Sequence, residues 1–151
     1  MKINAKDAEI NVQEDLRTSP GDLLYFIERV RLIDGVPSIL EKRYIVESYC
    51  PGIKKKQLEA SVFTLWTDVY KLKIIGADQI FKSIIINKED SVKLGINKTE
   101  AGFMVSATGY IEGNMPLWSE KTLFRGTRYE FRNIIGHIVS KESGTRIFLN
   151  I

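Results

Sequence analysis

The strongest constraint on this chain is that it carries one pattern twice. Leu16–Pro37 reads LRTSPGDLLYFIERVRLIDGVP and Leu94–Pro116 reads LGINKTEAGFMVSATGYIEGNMP. Laid over one another they bring into line Leu16 with Leu94, Asp22 with Glu100, and Tyr25-Phe26-Ile27 with Phe103-Met104-Val105. Asp34-Gly35 falls on Glu112-Gly113, and only Met115 breaks the register before the closing proline. Each copy reads as the end of a short helix, a loop, a long strand and a tight acidic-Gly turn into a second strand. Two copies are too few for a solenoid, so the expected architecture is one sheet built from two related halves. A seam between such halves is a natural place for a ligand.

A chain of 151 residues is near the modal size of one domain, and we read residues 1–151 as a single domain with one core. Apolar residues make up 44% and charged residues 27%, the balance of an ordinary globular protein. The longest apolar runs, such as Ile84-Ile85-Ile86, are far too short to cross a bilayer, and no signal-peptide pattern opens the chain. We therefore expect a cytoplasmic protein with no membrane partner. Cys50 is the only cysteine and His137 the only histidine, which leaves no set of residues for a zinc site and no Cys-His or Ser-His pair to spare. No metal or other cofactor is expected. A net charge of +3 suits small anions as well as nucleic acid and does not by itself make a DNA binder.

Ile10–Leu16 predicts a short helix stopped by Thr18-Ser19-Pro20-Gly21. Leu23–Ile33 predicts a strand whose alternation sends Tyr25, Ile27, Arg29 and Arg31 to one face. After the Asp34-Gly35 turn a second strand runs to about Val46, and its Glu41 is a plausible neighbour of the two arginines across the hairpin. Lys55–Leu72 carries an apolar stripe of Leu58, Val62, Leu65, Val69 and Leu72 and predicts the longest helix, with Ser61 and Trp66 beside the stripe. The Lys54-Lys55-Lys56 run near its start is either a solvated face or a contact for phosphate. Strands at Asp78–Asn87, Phe103–Ile111 and Leu117–Phe131 and a helix at Glu89–Leu94 complete the expectation. The fold class is α+β, an antiparallel sheet of about six strands flanked by helices.

These residues resemble the UTRA domain, the effector-binding half of HutC-type GntR transcription regulators. Arg29, Arg31, Asp34-Gly35, Pro37, Glu41 and Tyr44 are similar to the family's opening R-x-R-x-x-D-G-x-P…E…Y, and Phe124-Arg125-Gly126-Thr127-Arg128-Tyr129-Glu130-Phe131 to its closing [Y/F]-R-G-D-R-Y-x-F. Ser61-Val62-Phe63 resembles an S-L-Y within the family helix and Leu94-Gly95-Ile96 an L-G-L. The resemblance implies a chorismate lyase-like fold that binds a small molecule and dimerises. In sugar-phosphate-responsive members the phosphate is held by residues that correspond to Arg29, Arg31 and Ser61, a role that suits the planar donors of arginine. Without the family, Arg29 and Arg31 read equally as a surface cross-strand pair with Glu28 or Glu41.

The chain also departs from that pattern. Trp118 stands where relatives often carry a glutamate, Phe124 where they carry a tyrosine, Thr127 where they carry an aspartate, and Ala107 where many have an arginine matching Arg29. Trp118 and Phe124 are either core residues or an apolar pocket lining. The expected ligand is a small anionic metabolite, a sugar phosphate or an organic acid, with its acidic end at Arg29, Arg31 and Ser61. Glu41 lies beside that clamp, and the ligand's apolar or aromatic body meets Trp118 and Phe124; amino-sugar phosphates fit less well.

Family regulators place a winged helix-turn-helix ahead of this domain, and no such segment precedes Asp22, so DNA contact is expected only through a domain absent from this chain. The chain then reads as an excised effector domain or as a standalone sensor. Residues 131–151 run past the family ending, and Ile134-Ile135, Ile138-Val139 and Ile147-Phe148-Leu149 predict an extra strand pair or a dimer element. The leading functional expectation is a non-catalytic sensor. The alternatives are a small enzyme of the chorismate lyase type, for which Glu41 and Glu120 are the available acids or bases, and a dimerisation module with a degenerate pocket.

Overall fold

In the computed structural model, which describes residues 1–58 and 61–131, the two copies of the pattern become the two arms of one sheet. The first arm holds β1 (Lys2–Asn4), α1 (Ile10–Leu16), β2 (Leu23–Ile33) and β3 (Val36–Val46). The second holds β4 (Ile74–Ile85), α3 (Lys88–Lys93), β5 (Ala101–Ile111) and β6 (Met115–Arg125). Between them runs a connecting segment with a short helix α2 (Val62–Thr64) that widens into a π-helical stretch over Leu65–Val69. The strand order is β1-β2-β3-β6-β5-β4, with every neighbouring pair antiparallel.

The repeat is a structural symmetry. Lys42 and Lys121 lie at equal distances beyond Pro37 and Pro116, and they are paired to one another where β3 meets β6. The pseudo-two-fold axis therefore passes between them. The β2–β3 turn uses two residues, Asp34 (φ 51°) and Gly35 (φ 75°), both left-handed as the primed hairpin turns require. The β5–β6 turn uses three, Glu112-Gly113-Asn114, and this extra residue is what throws Met115 out of register. Both arms also carry a bulge at the same place, after Arg31 and after Gly109. The unpaired residues are Ser38 and Leu117, equivalent by the repeat and both fully buried.

Helices α1 and α3 cover one face of the sheet. Val12 and Leu16 pack with Leu24 and Val46, while Leu94, just past α3, packs with Leu40, Ile86 and Leu123. On the opposite face the connecting segment covers only one end. There Cys50, Val62 and Trp66 bury themselves against Tyr25, Ile27, Ile45, Leu117 and Trp118. The Tyr25 hydroxyl ties this segment down by accepting the N–H groups of Gly52 (2.9 Å) and Ile53 (3.1 Å). At the other end Tyr129 and Phe131 pack on Phe81, Phe103 and Phe124, and among the described residues the stretch between the two ends is left open.

Three sequence expectations change. The single helix over Lys55–Leu72 is instead a 3₁₀ turn at Lys55–Leu58 followed by α2 and its π extension. Ser61 starts the helical part afresh as its N-cap, with its Oγ accepting the Thr64 N–H at 3.4 Å. Strand β4 begins at Ile74 rather than Asp78. Strand β6 ends at Arg125 rather than Phe131, because the chain turns at Gly126, whose N–H donates to the Ala101 carbonyl at 2.9 Å. A Cβ at Gly126 would lie 2.7 Å from that carbonyl oxygen, so the close approach depends on glycine. His137 and the strand pair expected beyond Phe131 lie outside the described residues.

Candidate functional site

Strand alternation puts Arg29 and Arg31 of β2, Glu41 and Arg43 of β3, and Trp118 and Glu120 of β6 on the open face. Cross-strand pairing sets Arg29 opposite Glu41, Arg43 opposite Glu120 and Ile45 opposite Trp118. Above them the connecting segment leaves a cleft of about 710 Å³ lined by Arg29, Arg31, Arg43, Ser61, Trp118 and Glu120, with Val62, Phe63 and Trp66 completing the wall. Its size is within the range of small-molecule sites.

Glu41 organises the charge in this cleft. It is buried, and it accepts from Arg29 Nε at 3.1 Å and Arg29 Nη2 at 3.0 Å in a two-pronged pair. Arg43 Nη2 lies 3.1 Å from the same carboxylate and Arg31 Nη2 3.4 Å from it. Burial alone would push the Glu41 carboxyl up, but Arg43, Arg29 and Arg31 together outweigh it and hold the group below its ordinary value. Arg29 spends its remaining reach on the Leu58 carbonyl at 3.1 Å, and its side chain is only 20% exposed. Arg43 donates to Glu120 through Nε at 2.7 Å and also through Nη2, and its guanidinium sits 5.6 Å from the centre of the Trp66 ring. Arg31 differs from both. Its side chain is 52% exposed, its contact with Glu41 is the longest of the three, and it lines the cleft.

An aromatic wall stands beside the charges. Trp66 and Trp118 stack with ring centres 4.6 Å apart. A Cβ at Gly109 would fall 2.0 Å from the Trp118 ring, so the indole occupies space that only glycine leaves free on β5. By the repeat, Ala107 and Gly109 are the counterparts of Arg29 and Arg31. One arm of the sheet thus presents guanidinium groups, and the other, stripped of long side chains at the same two places, accommodates the indole.

Of the residues expected from the sequence, Arg29, Arg31, Ser61 and Trp118 come together around the cleft and Glu41 lies beneath the arginines. Phe124 does not join them. It is on the same face, but its ring packs edge-on against Tyr129 and Phe131 at 4.9 and 5.5 Å, beyond the cleft. Phe131 also meets Phe81 and Phe103, forming an aromatic cluster over β4, β5 and β6. Burial pushes the Tyr129 phenol up while Arg31 opposes it, which sets Tyr129 near the exposed arginine. The Lys54-Lys55-Lys56 run is exposed and lies outside the cleft lining. Arg43 and Trp66 were missed as site residues, and Glu120 was noticed only as a possible acid. The signal was present for two of them: Arg43 follows Glu41, and Glu120 follows Trp118, at the two-residue spacing of one strand face.

A second buried ion pair closes the end of β6. Glu100 accepts Arg125 Nε (2.9 Å) and Nη2 (2.8 Å) and the Thr127 hydroxyl (2.7 Å). The Arg125 hydrogen bonds, against the opposition of burial and with help from Thr127, hold the Glu100 carboxyl down at about 2. Cys50 is fully buried, and burial followed by the nearby Glu47 pushes its thiol up to about 12. Among the described residues no cluster of three His, Cys, Asp or Glu side chains could hold a metal ion, and no helix is long and apolar enough to cross a membrane.

Comparison with known proteins bears on the fold and the family. The HTH-type transcriptional regulator GmuR of Bacillus subtilis (strain 168) is 28% identical over 93 residues, which is 62% of this chain and 39% of that protein. The chain thus spans well under half the length of this relative. Among solved structures, a GntR-family transcriptional regulator from Enterococcus faecalis V583 superposes with a TM-score of 0.81 at 22% identity, over 89% of this chain and 94% of the other. The effector domain of PhnF from Mycobacterium smegmatis superposes with a TM-score of 0.78 at 16% identity, over 90% and 82%. The two structures share the fold: a six-stranded antiparallel sheet with a few helices. The UTRA domain model runs through residues 1–130, across all six strands, and on that match the chain belongs to the UTRA domain family.

Proposed function

We propose that this chain is the effector-binding part of a HutC-type GntR transcription regulator, a non-catalytic sensor of a small anionic metabolite. The acidic end of the ligand meets Arg31 and the Ser61 hydroxyl, Arg29 supports them from below, and the ligand body lies along Trp118 and Trp66. The single observation that carries this reading is the contrast among the three arginines. Arg29 and Arg43 each donate two hydrogen bonds to a carboxylate, whereas Arg31, among the described residues, makes only its long contact with Glu41 while lining a cleft of ligand size. The family supports the regulatory half of the proposal: the relative GmuR is named a helix-turn-helix regulator. Binding would shift the populations of a homodimer whose DNA-binding domains are separate from this sheet. Against catalysis stands the pinning of Glu41 by three arginines, which leaves it a poor proton acceptor.

The test is a thermal-shift screen of phosphorylated and carboxylated metabolites against the purified chain, followed by calorimetry. The expected result is saturable stabilisation by at least one anion, growing with concentration as linkage requires. Failure of every anion to stabilise the fold would leave only a dimerisation module, and turnover of chorismate to 4-hydroxybenzoate would make it an enzyme.

A further inference from the structure

The cleft reaches the edge of the sheet. Where it crosses the interior strand β6 it touches alternate residues, Trp118 and Glu120 but not Ser119. On β2 it touches three in a row, Arg29, Val30 and Arg31. Consecutive side chains of a strand leave opposite faces, so a cavity that meets all three wraps round the outer side of β2. Val30 is 36% exposed.

The backbone on that outer side has no partner among the described residues. Strand β1 pairs with Leu23–Tyr25 alone. One further exchange joins Met1 to Phe26, whose N–H donates to the Met1 carbonyl at 2.8 Å and whose carbonyl accepts from the Met1 amino group at 2.9 Å. Phe26 therefore turns its backbone groups away from β3, and by the period of two Glu28 and Val30 do the same. The register shift between β2 and β3 comes later, after Arg31. Val30 thus directs one main-chain donor and one main-chain acceptor outward, at the cleft and between its two β2 arginines.

A ligand that answers this arrangement brings an acceptor, a donor and a negative charge together. A phosphate ester or a plain carboxylate supplies the charge and the acceptor but no donor beside them. An N-acylated amino acid supplies all three at the spacing of a strand residue: its N–H donates to the Val30 carbonyl, and its carboxylate accepts from the Val30 N–H and from Arg31. This is the way an extended chain adds to a sheet edge, shortened to one residue. We propose that the cleft binds an N-acylated amino acid, held by the main chain of Val30 and the guanidinium of Arg31. Its acyl body runs into the cleft past Phe63, which lines the wall and is 52% exposed. The inference rests on the anion-binding reading above and narrows its ligand.

Calorimetry on the full chain with a matched pair of probes tests this: N-benzoylglycine and its ester analogue benzoyloxyacetate, which has an oxygen in place of the N–H. The amide is expected to bind more tightly by roughly fivefold or more, the range for one neutral hydrogen bond, and Arg31→Ala should weaken both. N-benzoyl-triglycine carries the same terminal unit on a peptide, and the tighter of the two glycine probes tells whether the source is a free acid or a peptide end. Val30→Pro deletes only the outward N–H, at an edge position that tolerates proline. It should weaken N-benzoylglycine by roughly tenfold or more, as for a hydrogen bond to a charged group, with thermal melts confirming the fold; should this variant not fold, the amide–ester comparison in the wild type decides. Equal affinity for amide and ester, both weakened by Arg31→Ala, leaves the anion site standing and refutes the edge contact. So does an anion from the screen that binds through Arg31 when N-benzoylglycine does not bind. If no anion binds, or Arg31→Ala changes nothing, the anion-binding reading itself fails and this inference with it. Unchanged N-benzoylglycine affinity in a folded Val30→Pro would also overturn the assignment.

Discussion

The two strand arginines look alike in sequence, yet their surroundings predict unequal consequences for stability. Replacing Arg29 by Ala removes two hydrogen bonds to Glu41 and one to the Leu58 carbonyl. Deleting one partner of a buried pair outright costs about 3–5 kcal/mol. Glu41 keeps Arg43 at 3.1 Å and Arg31 at 3.4 Å, so its charge is not abandoned and the loss should be smaller. A single hydrogen bond to a charged group is worth about 1.5–3 kcal/mol, which brings the expected cost to about 2–3 kcal/mol. For a chain of this length that corresponds to a fall in Tm of about 4–12 °C. Arg31→Ala removes one long contact from a side chain that is half exposed, the situation of a surface ion pair, and should cost less than about 1 kcal/mol. Urea unfolding of the two variants beside the wild type measures both values. Equal destabilisation by the two substitutions, or a neutral Arg29→Ala, would refute the division of labour drawn between a structural and a ligand-facing arginine.

Acid should weaken the fold in part through Glu100. Its folded value of about 2 lies below the ordinary 4.5, so its contribution is fully present above about 4.5 and is lost as pH falls toward 2. Glu100→Gln should therefore be less stable than wild type at pH 7 and lose less on going to pH 3, as read from urea midpoints. Gly109→Ala should expel the Trp118 ring from its place on β5 at a cost of about 1–3 kcal/mol or more, the range for overpacking, with a change in tryptophan fluorescence; an unaltered spectrum and midpoint would contradict that contact. Cys50, buried and with its thiol raised to about 12, should resist a thiol reagent at pH 8 in the native state and react promptly in denaturant. Rapid native labelling would show that the connecting segment does not seal the core there.

Much of the frame was legible because strand alternation and turn chemistry are local. Leu23–Ile33 forms β2 with the expected bounds, and the left-handed Asp34-Gly35 turn fixes the hairpin that brings Glu41 opposite Arg29. The connecting segment misled because an apolar stripe records which residues are buried and not how the backbone presents them. Val62 and Trp66 reach the core, and Leu58 and Leu72 pack against it, from a broken path; Val69, on the same stripe, is exposed. Ser61, a strong N-cap, restarts the helix in mid-pattern. The Arg43–Glu120 pair was hidden for another reason. Each residue's face follows from its own strand, but their meeting depends on the pairing of β3 with β6, two segments far apart in the chain. Phe124 was drawn into the expected pocket by the family resemblance alone, and its partners Tyr129 and Phe131 arrive only after the turn at Gly126.

The central claim is that Arg31 is the ligand-facing cation of the cleft. Calorimetric titration of the most stabilising anion from the thermal-shift screen into wild type, Arg31→Lys and Arg31→Ala tests it most directly. The expected loss for Arg31→Ala is about 1.5–3 kcal/mol, or roughly 10- to 150-fold in Kd. Lysine, which keeps the charge but not the planar fork, should recover only part of it. An affinity in Arg31→Ala equal to that of the wild type would contradict the account.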